Sequence, residues 1–230
     1  MHQQTSPFTI QIHLPSLRMD YNTLVARLRT KMAQLPGVEA QHKMIPEQRQ
    51  KYSQAKPDSK QAGVVALIHP NEQDEYQLVY IKRTSKYPGD KHKGQISFPG
   101  GQLDETDADL QDAALRELEE ELGIERDVIE LLGPLTSIYV YVSDFFVQPY
   151  LAIMDHAPVF VPEPEEVAYP ISFPLKTLIS GENKGIKDIH VRNIVLPKVP
   201  YYDLYGDTLW GATAMMTSEI TTLLSDIFND

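Results

Sequence analysis

Three glutamates on one stretch of the chain have the spacing of a divalent-cation site. They are Glu117, Glu120 and Glu121, and at roughly 100° per residue on a helix their carboxylates fall within an arc of about 100°. Leu118 and Leu122 point to the opposite side, where a core would lie. Carboxylates crowded onto one turn repel each other, and hard cations with oxygen ligands, such as Mg²⁺ or Mn²⁺, would neutralise them.

An acidic helix face is more often simply solvated, so the neighbouring residues decide between these two interpretations. The segment Phe98-Pro99-Gly100-Gly101 comes before the predicted helix, and Gly123 follows its last turn. A tight loop therefore precedes the carboxylates and a C-cap closes the helix behind them. This context favours a built cation site over a solvated face.

The run from Gly101 to Ile124 resembles the Nudix box, whose pattern is G-x5-E-x7-R-E-U-x-E-E-x-G-U, with U a bulky aliphatic residue. Every position from Arg116 to Ile124 agrees with that pattern. The loop before Arg116 carries one extra residue. The first glutamate of the box therefore falls on Asp107 when counted from Gly101, and on Ala108 when counted from Arg116.

The lengthened loop is similar to that of the coenzyme A diphosphatase branch of the family, in which F-P-G-G-x-x-D-x-x-D is followed by A-L-R-E. Residues 98–107 and 114–117 match both segments. An upstream signature of the branch, approximately L-L-T-x-R-S-x3-R-x3-G-x3-F-P-G-G, is matched in part through Arg83 and Gly94. Asp90 stands where its second arginine is expected, and a carboxylate cannot replace an arginine against a phosphate.

The resemblance implies a metal-dependent hydrolase that cleaves a diphosphate linkage in coenzyme A or its derivatives by attack of a metal-activated water. By matching positions, the metal ligands would be Glu117, Glu120, Glu121 and Gly101, the last through a backbone carbonyl. Glu120 is the candidate base, and Arg116 would orient a carboxylate. The predicted catalytic set is therefore Glu120, Glu117 and Arg116.

Cationic and polar residues upstream of the box are the predicted substrate contacts. They are Arg83, Lys82, Lys91 and His92. Arginine suits bidentate phosphate contacts, whereas each lysine and the histidine have a plain surface position as the alternative. Acids outside the box could supply a further ligand or base from a loop, and the candidates are Glu165, Glu166 and Asp144.

Two other functions stay open at the level of sequence. Asp90 leaves room for a Nudix diphosphatase that acts on another nucleoside diphosphate derivative, such as ADP-ribose, a dinucleotide or a nucleoside triphosphate. A module that senses a ligand without catalysis is the third interpretation. Loss of box carboxylates would favour it, but all three are present.

Composition limits the partners and the compartment. The 230 residues carry a net charge of −11, which argues against nucleic acid or an anionic membrane as partner, because both require a basic face. The chain has no cysteine, which excludes disulfides and thiol catalysis. Without an apolar run of membrane length or a secretion signal at its start, we expect a cytoplasmic protein that binds a small nucleotide substrate. A homodimer is a candidate assembly.

The elements that must position these residues follow from periodicity. Residues 1–60 are predicted to be a helical extension and linker, with a helix over residues 21–34, and residues 61–230 to be the Nudix hydrolase domain. Strands are predicted at residues 63–68, 76–81, 128–132, 136–142 and 145–153, and helices at residues 175–179 and 213–228. The fold class is α+β, and the resemblance implies a Nudix-type α/β/α sandwich with a mixed sheet.

Overall fold

A computed structural model describes residues 19–47, 56–84, 92–191 and 194–229. Its helices are α1 (Tyr21–Met32), α2 (Gly37–His42), α3 (Leu110–Leu122), α4 (Leu175–Ser180) and α5 (Gly211–Asn229). Its strands are β1 (Lys60–Pro70), β2 (Tyr76–Arg83), β3 (Ile96–Ser97), β4 (Gly100–Gln102), β5 (Glu130–Pro134), β6 (Ile138–Val140), β7 (Phe145–Ile153), β8 (Val167–Pro174), β9 (Lys184–Val191), β10 (Ile194–Leu204) and β11 (Asp207–Trp210).

The strands form one large mixed sheet and one small antiparallel sheet. The large sheet has the order β3-β2-β1-β7-β5, with β4 on β1, β6 on β7 and β8 on β2. Strands β1 and β7 run parallel, from Lys60 opposite Phe145 to Ile68 opposite Ile153, and the other described pairs are antiparallel. The small sheet has the order β11-β10-β9.

Alternate residues of the central strands build two cores, one on each face of the large sheet. Ile68 and Leu78 pack with α1 and α5 in one fully buried cluster. Leu67 and Val79 pack in a second cluster with Leu118 of α3. Since a strand turns successive side chains to opposite faces, the continuous apolar runs of β1 and β2 belong to strands that are covered on both sides. The predicted α/β/α sandwich with a mixed sheet is thereby confirmed.

Most predicted elements are present with shifted ends. Strand β7 has the predicted bounds, and β6 pairs with it as the expected hairpin, Val140 opposite Phe145. The region predicted at residues 128–132 begins with a 3₁₀ turn at Arg126–Val128 before β5 starts. The small sheet was not predicted, because a bulge between Leu196 and Val199 interrupts the alternation along β10.

The N-terminal segment contributes to one of the two cores. Leu24 and Leu28 of α1 are fully buried against α5. Of the linker predicted at residues 45–61, residues 48–55 lie outside the described residues and its last two residues already belong to β1. The division at residue 60 stays a prediction. None of the helices in the described part of the chain combines the length and the apolar character needed to cross a bilayer.

Candidate active site

The loop between β3 and α3 is fixed against β1 by the glycine at its centre. Gly100 lies opposite Val64 in the β4–β1 pair and has φ +143°, which side chains rarely allow. A Cβ at this position would also lie 2.3 Å from the Gly63 carbonyl oxygen. The loop backbone therefore comes close enough to α3 for the Gly100 N–H to donate to Glu121 Oε2 at 2.8 Å.

Helix α3 turns Glu117 and Glu121 toward this loop. Its leucines Leu118 and Leu122 are fully buried in the core. The Asp109 side chain caps its start by accepting from two backbone N–H groups, and Gly123 in the left-handed conformation closes its end. The carboxylate of Glu117 lies where a side chain at position 101 would be, since a Cβ on Gly101 would sit 2.3 Å from Glu117 Cδ. Only glycine leaves room for this carboxylate.

A cluster of three carboxylates, which we call the acidic cluster, forms between the loop, α3 and the entry to β8. Glu117, Glu121 and Glu166 each bring one carboxylate oxygen to within 4.8 Å of the other two. The Glu121 side chain is 1% exposed and that of Glu117 is 16% exposed. Glu166 arrives from a turn in which its N–H donates to the Glu163 carbonyl.

The electrostatics of the acidic cluster suit a divalent cation. Burial raises the pKa of Glu121 to about 8, despite the nearby Arg83 guanidinium and the Gly100 N–H, and burial also raises the pKa of Glu117. Oxygen donors gathered at this spacing, in a place where their charges are poorly solvated, match the ligand set that Mg²⁺ or Mn²⁺ takes. A bound cation would lower both pKa values by its own charge.

Arg83 is one of the cations that the chain itself places beside the acidic cluster. Its Nη1 lies 3.3 Å from Glu121 Oε1, and its side chain is 28% exposed. Backbone hydrogen bonds with Gln95 and Gly94 hold Arg83 beside the segment that leads into the loop. A guanidinium placed between buried carboxylates and solvent can also contact an anionic group of a ligand.

Arg116 holds the start of the box together through a bidentate pair with Asp107. Its Nε donates to Asp107 Oδ1 at 2.8 Å and its Nη2 to Oδ2 at 3.0 Å, and the Asp107 side chain is only 2% exposed. The first glutamate of the box corresponds to either Asp107 or Ala108, and of these two residues Asp107 makes the contact with Arg116. The Arg116 Nη1 also donates to Glu117 at 2.9 Å and to Glu120 at 3.0 Å.

The other predicted site residues lie around the acidic cluster rather than in it. Glu120 is on the outer side of α3 with a side chain 56% exposed. Lys82 forms an ion pair of 2.7 Å with Asp207 and lies on the face of β2 opposite to Arg83, because neighbouring strand residues alternate. His92 Nδ1 is 3.0 Å from Gln95 Oε1. Lys91 lies outside the described residues.

Of the three acids considered outside the box, the structure brings Glu166 to the site and gives Asp144 a different role. Asp144 accepts from Ser59 Oγ at 2.8 Å and from Tyr139 OH at 2.7 Å, so it ties the β6–β7 turn to the start of β1. Nothing in the local sequence separates Glu166 from its neighbour Glu165. The signal that exists is an acidic turn directly before an apolar strand.

Comparisons with known proteins found a matching family and related sequences. The family model described as NUDIX domain matches residues 59–182. The Nudix hydrolase NudL of Enterobacter sp. (strain 638) is 33% identical over 165 residues, which cover 70% of this chain and 81% of NudL. The NudL of Cronobacter sakazakii is 33% identical over 137 residues, 59% of this chain and 70% of that protein.

A solved structure shares the fold. The Nudix hydrolase RenU from M. smegmatis superimposes with a TM-score of 0.50 at 12% identity. The match covers 74% of this chain and 88% of that one. At this identity the likeness concerns the fold alone.

Proposed function

Since the chain belongs to the Nudix hydrolase family, whose members act on pyrophosphate bonds, we propose that it cleaves the diphosphate linkage of coenzyme A or its derivatives with the help of a divalent cation. The observation that carries the proposal is the acidic cluster, in which Glu117, Glu121 and Glu166 converge to within 4.8 Å beside Arg83. Nudix hydrolases generally use divalent metals, and this cluster offers the matching oxygen donors.

Each residue of the site has a proposed task. Glu117, Glu121 and Glu166 would hold the cation, together with the carbonyl of Gly101. When bound, Mg²⁺ or Mn²⁺ polarises a diphosphate oxygen and acidifies a coordinated water. Arg83 binds the diphosphate at the cluster's open side, and Arg116 holds Glu117 in place through their 2.9 Å hydrogen bond.

The base is proposed to be Glu120, with Glu166 as the alternative that the geometry adds. Glu120 is exposed and hydrogen-bonded to Arg116 Nη1 at 3.0 Å. A base must lie within hydrogen-bond reach of the water whose proton it takes. Glu120 would have to rotate toward the acidic cluster to meet this requirement, whereas Glu166 already lies within the cluster.

Coenzyme A is favoured over other diphosphates by the sequence signature upstream of the box. The lengthened loop of residues 98–107 and the match at Arg83 support it. Asp90, which replaces an expected arginine, favours a different nucleoside diphosphate derivative as the second candidate. The cytoplasmic location, the homodimer and the absence of a nucleic-acid or membrane partner stay predictions of the sequence.

The test is a hydrolysis assay with Mg²⁺ or Mn²⁺ on coenzyme A, ADP-ribose, dinucleotides and nucleoside triphosphates, with separation of the products. We expect coenzyme A to be cleaved preferentially, and Glu117→Gln to lower the rate about 100-fold or more. Glu119→Gln is the matched control, because Glu119 is on the same helix but pairs with Arg126 on its outer side.

The outcomes separate the candidates. Preferential cleavage of another compound would keep the diphosphatase and change its substrate. Absence of metal-dependent turnover on every compound would contradict the enzyme and favour a ligand-sensing module.

A further inference from the structure

A cavity of about 610 Å³ lies between the large sheet and the small sheet, on the side of β2 that faces away from Arg83. Its volume is in the range of small-molecule sites. The charged and aromatic side chains that line it are Lys82, Lys93, Lys187, Asp188, His190, Asp207 and Trp210. None of them belongs to the acidic cluster, so the cavity is a feature that the hydrolytic residues leave unexplained.

Strand β11 of the small sheet forms one wall of the cavity. Tyr205 and Gly206 connect β10 to β11 with φ values of +57° and +95°, as a two-residue hairpin turn requires. Asp207, the first residue after the turn, accepts from Lys82 Nζ at 2.7 Å and from Tyr169 OH at 2.7 Å. These two bonds attach the wall to β2 and β8.

Two of the three lysines at the cavity have no ion-pair partner among the residues that the structure describes. The charge of Lys82 is matched by Asp207. Asp188 also lines the cavity and accepts from the backbone N–H of Lys198 at 2.9 Å, which leaves its negative charge in place. Within the described ranges, neither Lys93 nor Lys187 forms an ion pair. Lys187 is nevertheless held in place, since its Nζ donates to Thr208 Oγ1 at 2.6 Å and lies 4.2 Å from the centre of the Tyr201 ring.

A concave site whose three lysines outnumber its two aspartates attracts an anion, and in a chain of net charge −11 such a place is informative. Trp210 adds an aromatic surface on which a flat ring can stack. Phosphate and a ring occur together in a nucleotide. We propose that this cavity binds the nucleoside end of the substrate, with Trp210 against the base and Lys93 and Lys187 on a phosphate that is not part of the scissile linkage.

This proposal rests on the proposed function and specifies which part of the substrate the chain recognises outside the acidic cluster. The two sites share a wall. Lys82 and Arg83 are consecutive on β2, and the Arg83 backbone is hydrogen-bonded to Gly94 and Gln95, which also line the cavity. A substrate that spans this strand end would place its diphosphate at Arg83 and its nucleoside in the cavity.

The protein carries its own reporter for this site, because Trp210 is the single tryptophan of the chain. We would titrate the full chain with adenosine 3′,5′-bisphosphate and with AMP in the presence of EDTA, and follow tryptophan fluorescence. The expected result is a saturable change at a concentration about tenfold lower for the bisphosphate, since one charge-assisted contact contributes about 1.5 kcal/mol or more.

The variants separate the cavity from other binding sites. Lys93→Gln and Lys187→Gln should each weaken bisphosphate binding about tenfold, whereas Lys176→Gln, an exposed lysine of α4, is the matched control. Equal binding by all variants, or no saturable change with either nucleotide, would overturn the proposal. Because the titration contains no metal and no turnover, its result is independent of whether hydrolysis is observed.

Steady-state kinetics provide the second readout. If coenzyme A is hydrolysed, its KM should be about tenfold below that of 3′-dephospho-coenzyme A, and the ratio should fall toward 1 in Lys93→Gln and Lys187→Gln. A KM ratio that these substitutions leave unchanged would remove the cavity from substrate recognition. Absence of turnover on any diphosphate would instead count against the proposed function and leave the fluorescence result standing.

Discussion

At the scale of single residues, the acidic cluster distinguishes glutamates that the sequence presents as equivalent. Glu117, Glu120 and Glu121 share one helix face in the sequence pattern. In the structure the Glu121 side chain is buried, that of Glu117 is largely buried, and that of Glu120 is exposed and paired with Arg116. Glu166 brings a carboxylate oxygen to within 4.8 Å of those of Glu117 and Glu121. The difference arises because the loop at Gly100 covers only one edge of the face.

This arrangement predicts that Glu166 contributes more to cation binding than Glu120 does. Glu166→Gln should weaken Mn²⁺ binding about tenfold or more, because it removes one charged oxygen ligand. Glu120→Gln should have a smaller effect on affinity, whatever it does to the catalytic rate. Calorimetric titration with Mn²⁺ measures both, and a larger loss of affinity in Glu120→Gln would show that α3 rearranges around the cation.

At the scale of elements, the side chain of Arg116 joins the loop to α3. Its guanidinium reaches Asp107 on the loop and two glutamates on the helix. The hydrogen bonds from Arg116 hold the pKa of Asp107 below its usual range. One planar side chain with several donors thus sets the distance between the two halves of the site.

Asp107→Asn should therefore loosen the site and also destabilise the fold. The substitution leaves a largely buried guanidinium without its bidentate partner, so we expect the free energy of unfolding to fall by about 1–3 kcal/mol. Urea denaturation measures this. Glu119→Gln, which breaks an exposed pair with Arg126, should change stability by about 0.5 kcal/mol or less, and equal losses in the two variants would argue against the bridging role of Arg116.

At the scale of the whole molecule, cation binding and stability are linked through Glu121. Its pKa is raised from 4.5 to about 8 by burial, so the folded metal-free chain holds a proton that the unfolded chain releases. Between pH 4.5 and about pH 8, the contribution of Glu121 to the free energy of unfolding therefore falls as the pH rises. A cation that displaces the proton reverses this trend.

Thermal unfolding across this pH range tests the linkage. Excess Mn²⁺ should raise the Tm by about 5 °C or more relative to EDTA. This increment should grow from about pH 6 to about pH 8, because a smaller fraction of Glu121 then carries a proton that the cation must displace. In Glu121→Gln the growth with pH should disappear. An increment independent of pH in the parent protein would contradict a cation at this carboxylate.

The N-terminal helix is a second property of the whole molecule, because its partners are far away in sequence. Leu28 is fully buried in the core with α5, and Arg27 Nη1 donates to the Ile227 carbonyl at 2.7 Å. Leu28→Ala should therefore cost about 2–5 kcal/mol of stability, measured by urea denaturation. Thr30→Ala on the exposed side of α1 should change it by about 0.5 kcal/mol or less, and a similarly small cost at Leu28 would show that α1 is dispensable for the fold.

Local patterns were enough to predict the parts of this protein that depend on neighbours in sequence. The period of 3.6 residues predicted α3 and its two faces, Gly123 marked its end, and apolar runs predicted the strands that became β1, β2 and β7. The box residues 116–124 indicated the family because they agree with its sequence pattern, which places carboxylates at fixed spacing along a short stretch of chain.

Tertiary structure alone decided which of those residues meet. Whether Glu120 or Glu166 joins Glu117 and Glu121 depends on how the turn before β8 crosses α3, and Lys82 is matched by Asp207, which is 125 positions away. Such contacts follow from the pairing of strands that are distant along the chain, and a single sequence carries no periodic signal for them. The sequence thus determined the chemistry available to this protein, and the packing of α3 against the loop and the turn before β8 determined where that chemistry is assembled.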